Sequence, residues 1–210
     1  MPICGLAPYS YAGVADRYAA EGVAATVELE AAPAVVRGHV AAWVGVGGVG
    51  MGPRGSNEWI QVGVAATPGS ANALYYEVAK PGAAPAYVEL RRSVGVGEQH
   101  RVAVIEMQRR PNWWRVWVDG RAMTRPIHLA QSHRRWPAVA TSESWNGGEQ
   151  TCNAFNYRFG TIRVRRDGWR LLQNASPIET PGYTVLRSSG ASLLALGGSA
   201  QAESIALSAN

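Results

Sequence analysis

What most constrains this chain is a regular beat of short, strand-forming runs separated by turn residues. GVAATVELEA (22–31), VAAWVGVGG (40–48), EWIQVGVAA (58–66) and ALYYEVAK (73–80) come first. AYVELRR (86–92), HRVAVIEMQ (100–108), WRVWVDG (114–120) and WPAVATSESW (136–145) follow. YRFGTIRVRR (157–166), GWRLLQ (168–173), YTVLRS (183–188) and SLLALG (192–197) complete the set. Valine and aromatic residues fill the runs, and Gly, Pro, Asn or Asp stand between them. Asp119–Gly120 after WRVWV and Asp167–Gly168 after TIRVRR are hairpin signals, because Asp-Gly supplies the positive φ angles a tight turn needs. Helical spacing is scarce: only Val14–Ala25 has the makings of a short helix, and Gly22 interrupts it. Asn174–Gly182, with Pro177 and Pro181, reads as a loop. The pattern predicts an all-β fold, an antiparallel β-sandwich.

Length and composition sharpen this. A chain of 210 residues suits one domain with a core large enough to need no staples. With 47% hydrophobic and 17% charged residues, disorder is excluded. No apolar run approaches the ~18 residues of a membrane span, so no membrane partner is expected. The opening MPICGLAPYSYAGVADRY shows no basic-then-apolar leader. The net charge is +5, with Lys80 the sole lysine among 20 basic residues, and the charge is spread along the chain. Cys4 and Cys152 are open to two readings, a disulfide in an oxidising compartment or two buried thiols.

One stretch invites a specific chemistry. AAWVGVGGVGMGPRG (41–55) contains G-x-G-x-x-G at Gly45, Gly47 and Gly50, the spacing of a dinucleotide loop. That loop needs a helix opening at the third glycine and an acid ~20 residues later. Here MGPRGSNEW follows, and Ser70 stands where the acid belongs. The nucleotide reading fails, and the glycines are expected to end one strand and lead into the next.

The same stretch resembles a different family. AWVG-x-x-G (Ala42–Gly48), then Q-x-G-V (Gln61–Val64), then Y-E in an aromatic strand (Tyr75–Val78), is similar in order to the eqolisins, the glutamic peptidases. SVGVGEQHRVAV (93–104) resembles the family's G-D-x-I-x-V strand entry, WRVWVDGRAMTRPIHL its next hairpin, and NYRFGTIRV (156–164) its F-G-x-V strand. ATSESWNGG (140–148) stands where the family keeps its catalytic glutamate. The resemblance spans about residues 24–197. It implies a concanavalin A-like jelly roll of two bent sheets, an extracellular setting, no cofactor and no metal. It also implies an acid endopeptidase in which Glu143 is the general base and Gln61 the oxyanion donor. The chain would divide into an N-terminal segment packing on the domain (1–21), the eqolisin-like sandwich (22–198) and a C-terminal tail (199–210), acting as a monomer.

Alternation along strands supports a shared site. If Gln61 faces a hollow, Trp59 shares its side; Glu143 goes with Trp145, and Tyr75 with Glu77. Ile60, Val62, Val64, Val44, Leu74 and Val78 then face the core. One face would gather Trp43, Trp59, Gln61, Tyr75, Glu77, Glu143 and Trp145, an aromatic-walled groove for an extended polypeptide or a glycan. Three departures stand beside the match: Ser144 separates Glu143 from Trp145, and Ala65 and Ala79 replace polar or aromatic family positions. They keep open a non-catalytic, lectin-like binding module on the same fold. QRRPNWWRVW (108–117) mixes arginine with tryptophan, but reads as a hairpin turning at Pro111–Asn112, so no nucleic-acid partner is expected. Glu77 and Glu143 do not form the E-x-D-x-x-E strand of a sandwich glycosidase. His39, His100, His128 and His133 have no metal-ligand spacing.

Overall fold

A computed structural model describes residue 4 and residues 7–173, 175–188 and 191–198. Its strands are β1 (Tyr9–Ala19), β2 (Gly22–Ala34), β3 (His39–Gly48), β4 (Glu58–Ala66), β5 (Ala73–Ala79), β6 (Ala86–Arg91), β7 (Gln99–Glu106) and β8 (Trp113–Val118). After them come β9 (Arg121–Ala122), β10 (Ile127–His128), β11 (Pro137–Trp145), β12 (Ala154–Arg165), β13 (Trp169–Leu171), β14 (Ala175–Glu179), β15 (Tyr183–Ser188) and β16 (Ser192–Gly197). They form two antiparallel sheets. A seven-stranded sheet runs β14-β1-β11-β3-β4-β5-β6, and a nine-stranded sheet runs β10-β8-β7-β2-β12-β16-β15, with β13 on β12 and β9 on β8. The fold is the β-sandwich that the strand pattern predicts. No helix of the described residues is long and apolar enough to cross a membrane.

Strict alternation builds the core. Val40, Ala42, Val44 and Val46 of β3 and Ile60, Val62 and Val64 of β4 turn inward. They meet Trp114, Phe155, Tyr157 and Phe159 from the other sheet. Burying each such side chain contributes about 1.5–3 kcal/mol. Both Asp-Gly turns are hairpins: Asp119 (φ 49) and Gly120 (φ 79) join β8 to β9, and Arg165 pairs with Trp169 across the other. The arginine–tryptophan segment is the β7–β8 hairpin, with Trp114, Val116 and Val118 buried.

Two segments depart from the sequence expectation. Val14–Ala25 is no helix: it is the end of β1, a turn, and the start of β2. β1 lies inside the seven-stranded sheet, between β14 and β11. Asn174–Gly182, expected as a loop, contains β14, whose Pro177 is tolerated because β14 is an edge. Cys4 and Cys152 form a disulfide, which decides between the two readings. Gly45 and Gly47 lie within β3, only Gly50 is in the turn, and the chain continues into a short 3-10 turn at Pro53–Gly55. The tail expected at 199–210 lies outside the described residues.

Candidate functional site

The outward face of the seven-stranded sheet carries the residues that alternation groups together. Its cross-strand rungs can be read from the pairing. One rung is Tyr9, Trp145 and His39. The next is Tyr11, Glu143, Ala41 and Ala65. Then come Gly13, Thr141, Trp43, Gly63, Tyr75 and Glu89. Ala15, Val139, Gly45, Gln61, Glu77 and Tyr87 follow, and Gly47, Trp59 and Ala79 close the series. An outward face of a flat sheet would be wet. Here Tyr75 is 2% exposed, Gln61 7% and Glu143 8%, so the side chains shield one another. Ala41, Ala65 and Tyr75 form a small apolar cluster of their own, with Trp43 packed on it.

Aromatic rings wall both ends. Tyr9 stacks on Trp145 with centroids 6.3 Å apart, and His39 lies 5.6 Å from the same indole. At the other end Tyr75 stacks on Tyr87 at 4.9 Å. Between them the polar groups are few and mostly engaged. Gln61 Nε2 donates to the Tyr75 hydroxyl (3.1 Å), and Trp59 Nε1 donates to Glu77 Oε1 (2.9 Å). His39 Nε2 is 3.2 Å from Glu143 Oε1. The Trp43 indole N–H, in the middle of the face, is buried without an acceptor.

The electrostatics follow from this crowding. Burial raises the Glu77 carboxyl above the usual carboxylate range and the Glu143 charge adds to it, while the Trp59 N–H and His39 pull the other way. Burial, then the charges of Glu143 and Glu77, hold Tyr75 well above an ordinary phenol, against the hydrogen bond from Gln61. Tyr9 and Tyr11 are raised by burial first and by Glu143 next. All three phenols therefore stay protonated and can donate hydrogen bonds.

All seven residues grouped by sequence, Trp43, Trp59, Gln61, Tyr75, Glu77, Glu143 and Trp145, lie on this face. Gln61 and Glu77 are direct partners on adjacent strands. Gln61 and Glu143 are not neighbours: across Gly45 the residue level with Gln61 is Val139, and Glu143 lies four positions along β11. That is an offset of backbone register and not a side-chain separation, since the Glu143 charge still acts on Glu77 and Tyr75. Tyr9, Tyr11 and Tyr87 were not singled out in the sequence, although Tyr9 and Tyr11 show the i, i+2 spacing of one strand face, and His39 was weighed there only as a metal ligand.

The whole sandwich matches solved structures. Scytalido-glutamic peptidase with a peptide-based transition-state analogue superposes with a TM-score of 0.62 at 14% identity, over 90% of this chain and 98% of that one. SCP-B, a member of the eqolisin family of peptidases in a complex with the tripeptide Ala-Ile-His, gives 0.61 at 15%, with the same coverage. The fold is that of the eqolisins. No family model and no curated protein matches the eqolisin-like chain by sequence.

Proposed function

We propose that the hollow binds an extended polypeptide and that the protein is an acid hydrolase of glutamic-peptidase type. The observation that carries this is the adjacent pair of a shielded carboxyl with raised pKa, Glu77, and a buried amide, Gln61. The donors on the face, the Trp43 N–H, the Gln61 amide and the tyrosine hydroxyls, suit neutral carbonyl acceptors such as peptide groups. In the reaction, the Glu77 carboxylate takes a proton from water, and the resulting hydroxide attacks the peptide carbonyl carbon. The oxygen that becomes negative accepts an N–H from Gln61, which a preorganised donor can stabilise by about 3 kcal/mol. Glu77 then passes the proton to the leaving nitrogen as the C–N bond breaks. Glu143, which the family resemblance makes the base, is held by His39 two strands from Gln61; its charge raises the pKa of Glu77.

Digestion of a peptide library between about pH 3 and about pH 7, where a raised carboxyl titrates, tests the assignment. Wild type is expected to cleave, Glu77→Gln to abolish cleavage, and Gln61→Ala to cost about 100- to 1,000-fold. Glu143→Gln should lower activity less than Glu77→Gln. The opposite ranking returns the base to Glu143, and no cleavage by wild type ends the hydrolase reading. Val139 favours a second reading, because on the β11 side of Gln61 the level position is apolar and not the carboxyl of the family's dyad. In that case the hollow is a non-catalytic binding module for polypeptide or glycan, and Glu77→Gln and Glu143→Gln leave ligand capture nearly intact.

A further inference from the structure

The outward face of the nine-stranded sheet has a different character. Arg163, Ala24, Ala103 and Trp117 share one rung across β12, β2, β7 and β8. Arg165, Gly22, Ile105 and Arg115 form the rung on one side, and Thr26 pairs with Arg101 on the other. Four arginines thus share a face with Gly22, Ala24 and Ala103; Arg165 Nη1 donates to the Glu106 carbonyl (3.1 Å). Among the described residues none of these four has a carboxylate partner, whereas Arg37, Arg91, Arg92, Arg134, Arg158 and Arg166 all do. The acids nearby are already engaged. Glu28 Oε2 accepts from Gln99 Nε2 (2.7 Å), Glu30 pairs with Arg158, and Asp119 accepts from the Arg101 backbone N–H (2.8 Å) and contacts His100.

A cavity of about 220 Å³ opens among these side chains, lined by Ala24, Ala25, Thr26, Arg101, Thr161 and Arg163. Thr161 reaches it through a bulge: the β2–β12 register shifts between Gly160 and Arg163, and Thr161 takes φ 49. A positive φ is costly for a β-branched residue, and such bulges re-aim side chains where a site requires it. The Nε–H of Arg163, which lines the cavity, is buried and has no acceptor. A shielded, charged donor without a partner is expensive, so it calls for one.

We propose that this cavity binds a single tetrahedral oxyanion, phosphate or sulfate, free or as an ester on a larger molecule. Arg101 and Arg163 present guanidinium donors that match such an anion in a forked arrangement. Thr26 and Thr161 offer hydroxyls, and no acid lines the cavity to repel the charge. The site is on the other sheet from the peptide-binding hollow and stands independently of that reading.

Calorimetric titration of the full chain with inorganic phosphate and with inorganic sulfate, at low ionic strength, tests this. Saturable binding is expected, weakened at least tenfold by Arg163→Gln and by Arg101→Gln. Arg54→Gln, which removes the same charge from the β3–β4 loop of the other sheet, should leave affinity unchanged. Melting curves report folding, and Arg101, being exposed, carries the test if Arg163→Gln shifts the melt. A parallel titration with heparin separates the sources. Loss in the same two variants extends the site to sulfate esters, while an unchanged heparin affinity confines it to the free ion. No saturable binding of either inorganic anion, or an equal loss in Arg54→Gln, would overturn the proposal.

Discussion

Gly63 lies between Trp43 and Tyr75 on the central rung of the outward face, and a Cβ there would run into the Ala42 carbonyl oxygen and come within 2.7 Å of Trp43 Cα. Gly13, on the same rung, would likewise drive a Cβ into Thr141. The glycines let broad rings lie across the sheet without splaying the strands. Both obstacles are on neighbouring strands and Ala42's is backbone, so Gly63→Ala is expected to destabilise by about 2–3 kcal/mol, read as a fall in melting temperature. A neutral melt would mean that β3 and β4 can separate at no cost. Alternation alone was enough to bring Gln61, Glu77, Glu143 and the three indoles to one side, because a period of two leaves no freedom once the valines are inside. What it does not encode is which rung a residue occupies. That depends on pairing across β11, β3 and β4, which loop lengths and packing decide. The four-residue offset between Glu143 and the position level with Gln61 was therefore hidden, and so was the neighbour relation of Gln61 and Glu77.

At the scale of elements, twelve predicted runs have strands within them, and the two longer segments that escaped have physical reasons. β1 reads YSYAGVADRYA, in which Gly, Ala and Asp are poor strand formers. It is a strand because tertiary contacts on both sides override that preference: β11 pairs with it along Tyr9–Ala19 and β14 along Ala12–Asp16. β14 (ASPIE) contains a proline and needs an edge to exist at all. The disulfide acts on the same region. Cys4, ahead of β1, is tied to Cys152, ahead of β12, across 148 residues of sequence. Closing so long a loop in the unfolded chain is expected to contribute about 2–5 kcal/mol. Urea unfolding of the Cys4→Ser/Cys152→Ser double variant should show that loss as a lower midpoint. A midpoint within error of wild type would mean that strand pairing alone holds β1 in the sheet.

Over the whole molecule, charge is segregated in a way that composition cannot reveal. The +5 balance conceals an acid-bearing outward face on one sheet and, on the other, a cluster of arginines without carboxylate partners among the described residues. Two shielded carboxyls, Glu77 on the outward face and Glu58 on the core side of β4, should make folding depend on pH in a definite direction. Glu77 is raised by burial and by Glu143, and Glu58, 1% exposed with Oε2 lacking any partner, is raised by burial. In each case the folded state holds a proton at pH values where the unfolded chain has lost it. Stability from these two groups is therefore fully present below the ordinary carboxylate pKa of 4.5 and is lost as pH rises through the raised folded values. Glu98 works the other way, being lowered first by the Gly95 N–H and next by Arg91, so the net wild-type slope mixes opposite signs. The difference between variant and wild type isolates one group. Glu77→Gln should melt like wild type near pH 4 and above it near pH 7, where each 1 kcal/mol gained reads as about 2–4 °C. Glu58→Gln should behave alike, since its Oε1 can still accept from the Ala130 N–H at 2.9 Å. If the hollow is an active site, only Glu77→Gln loses cleavage as it gains stability, the exchange expected where a carboxyl is kept desolvated for chemistry. Equal melting of Glu77→Gln and wild type at neutral pH would show that the carboxylate is solvated there. It would then lack the raised pKa that the proposed proton transfer requires.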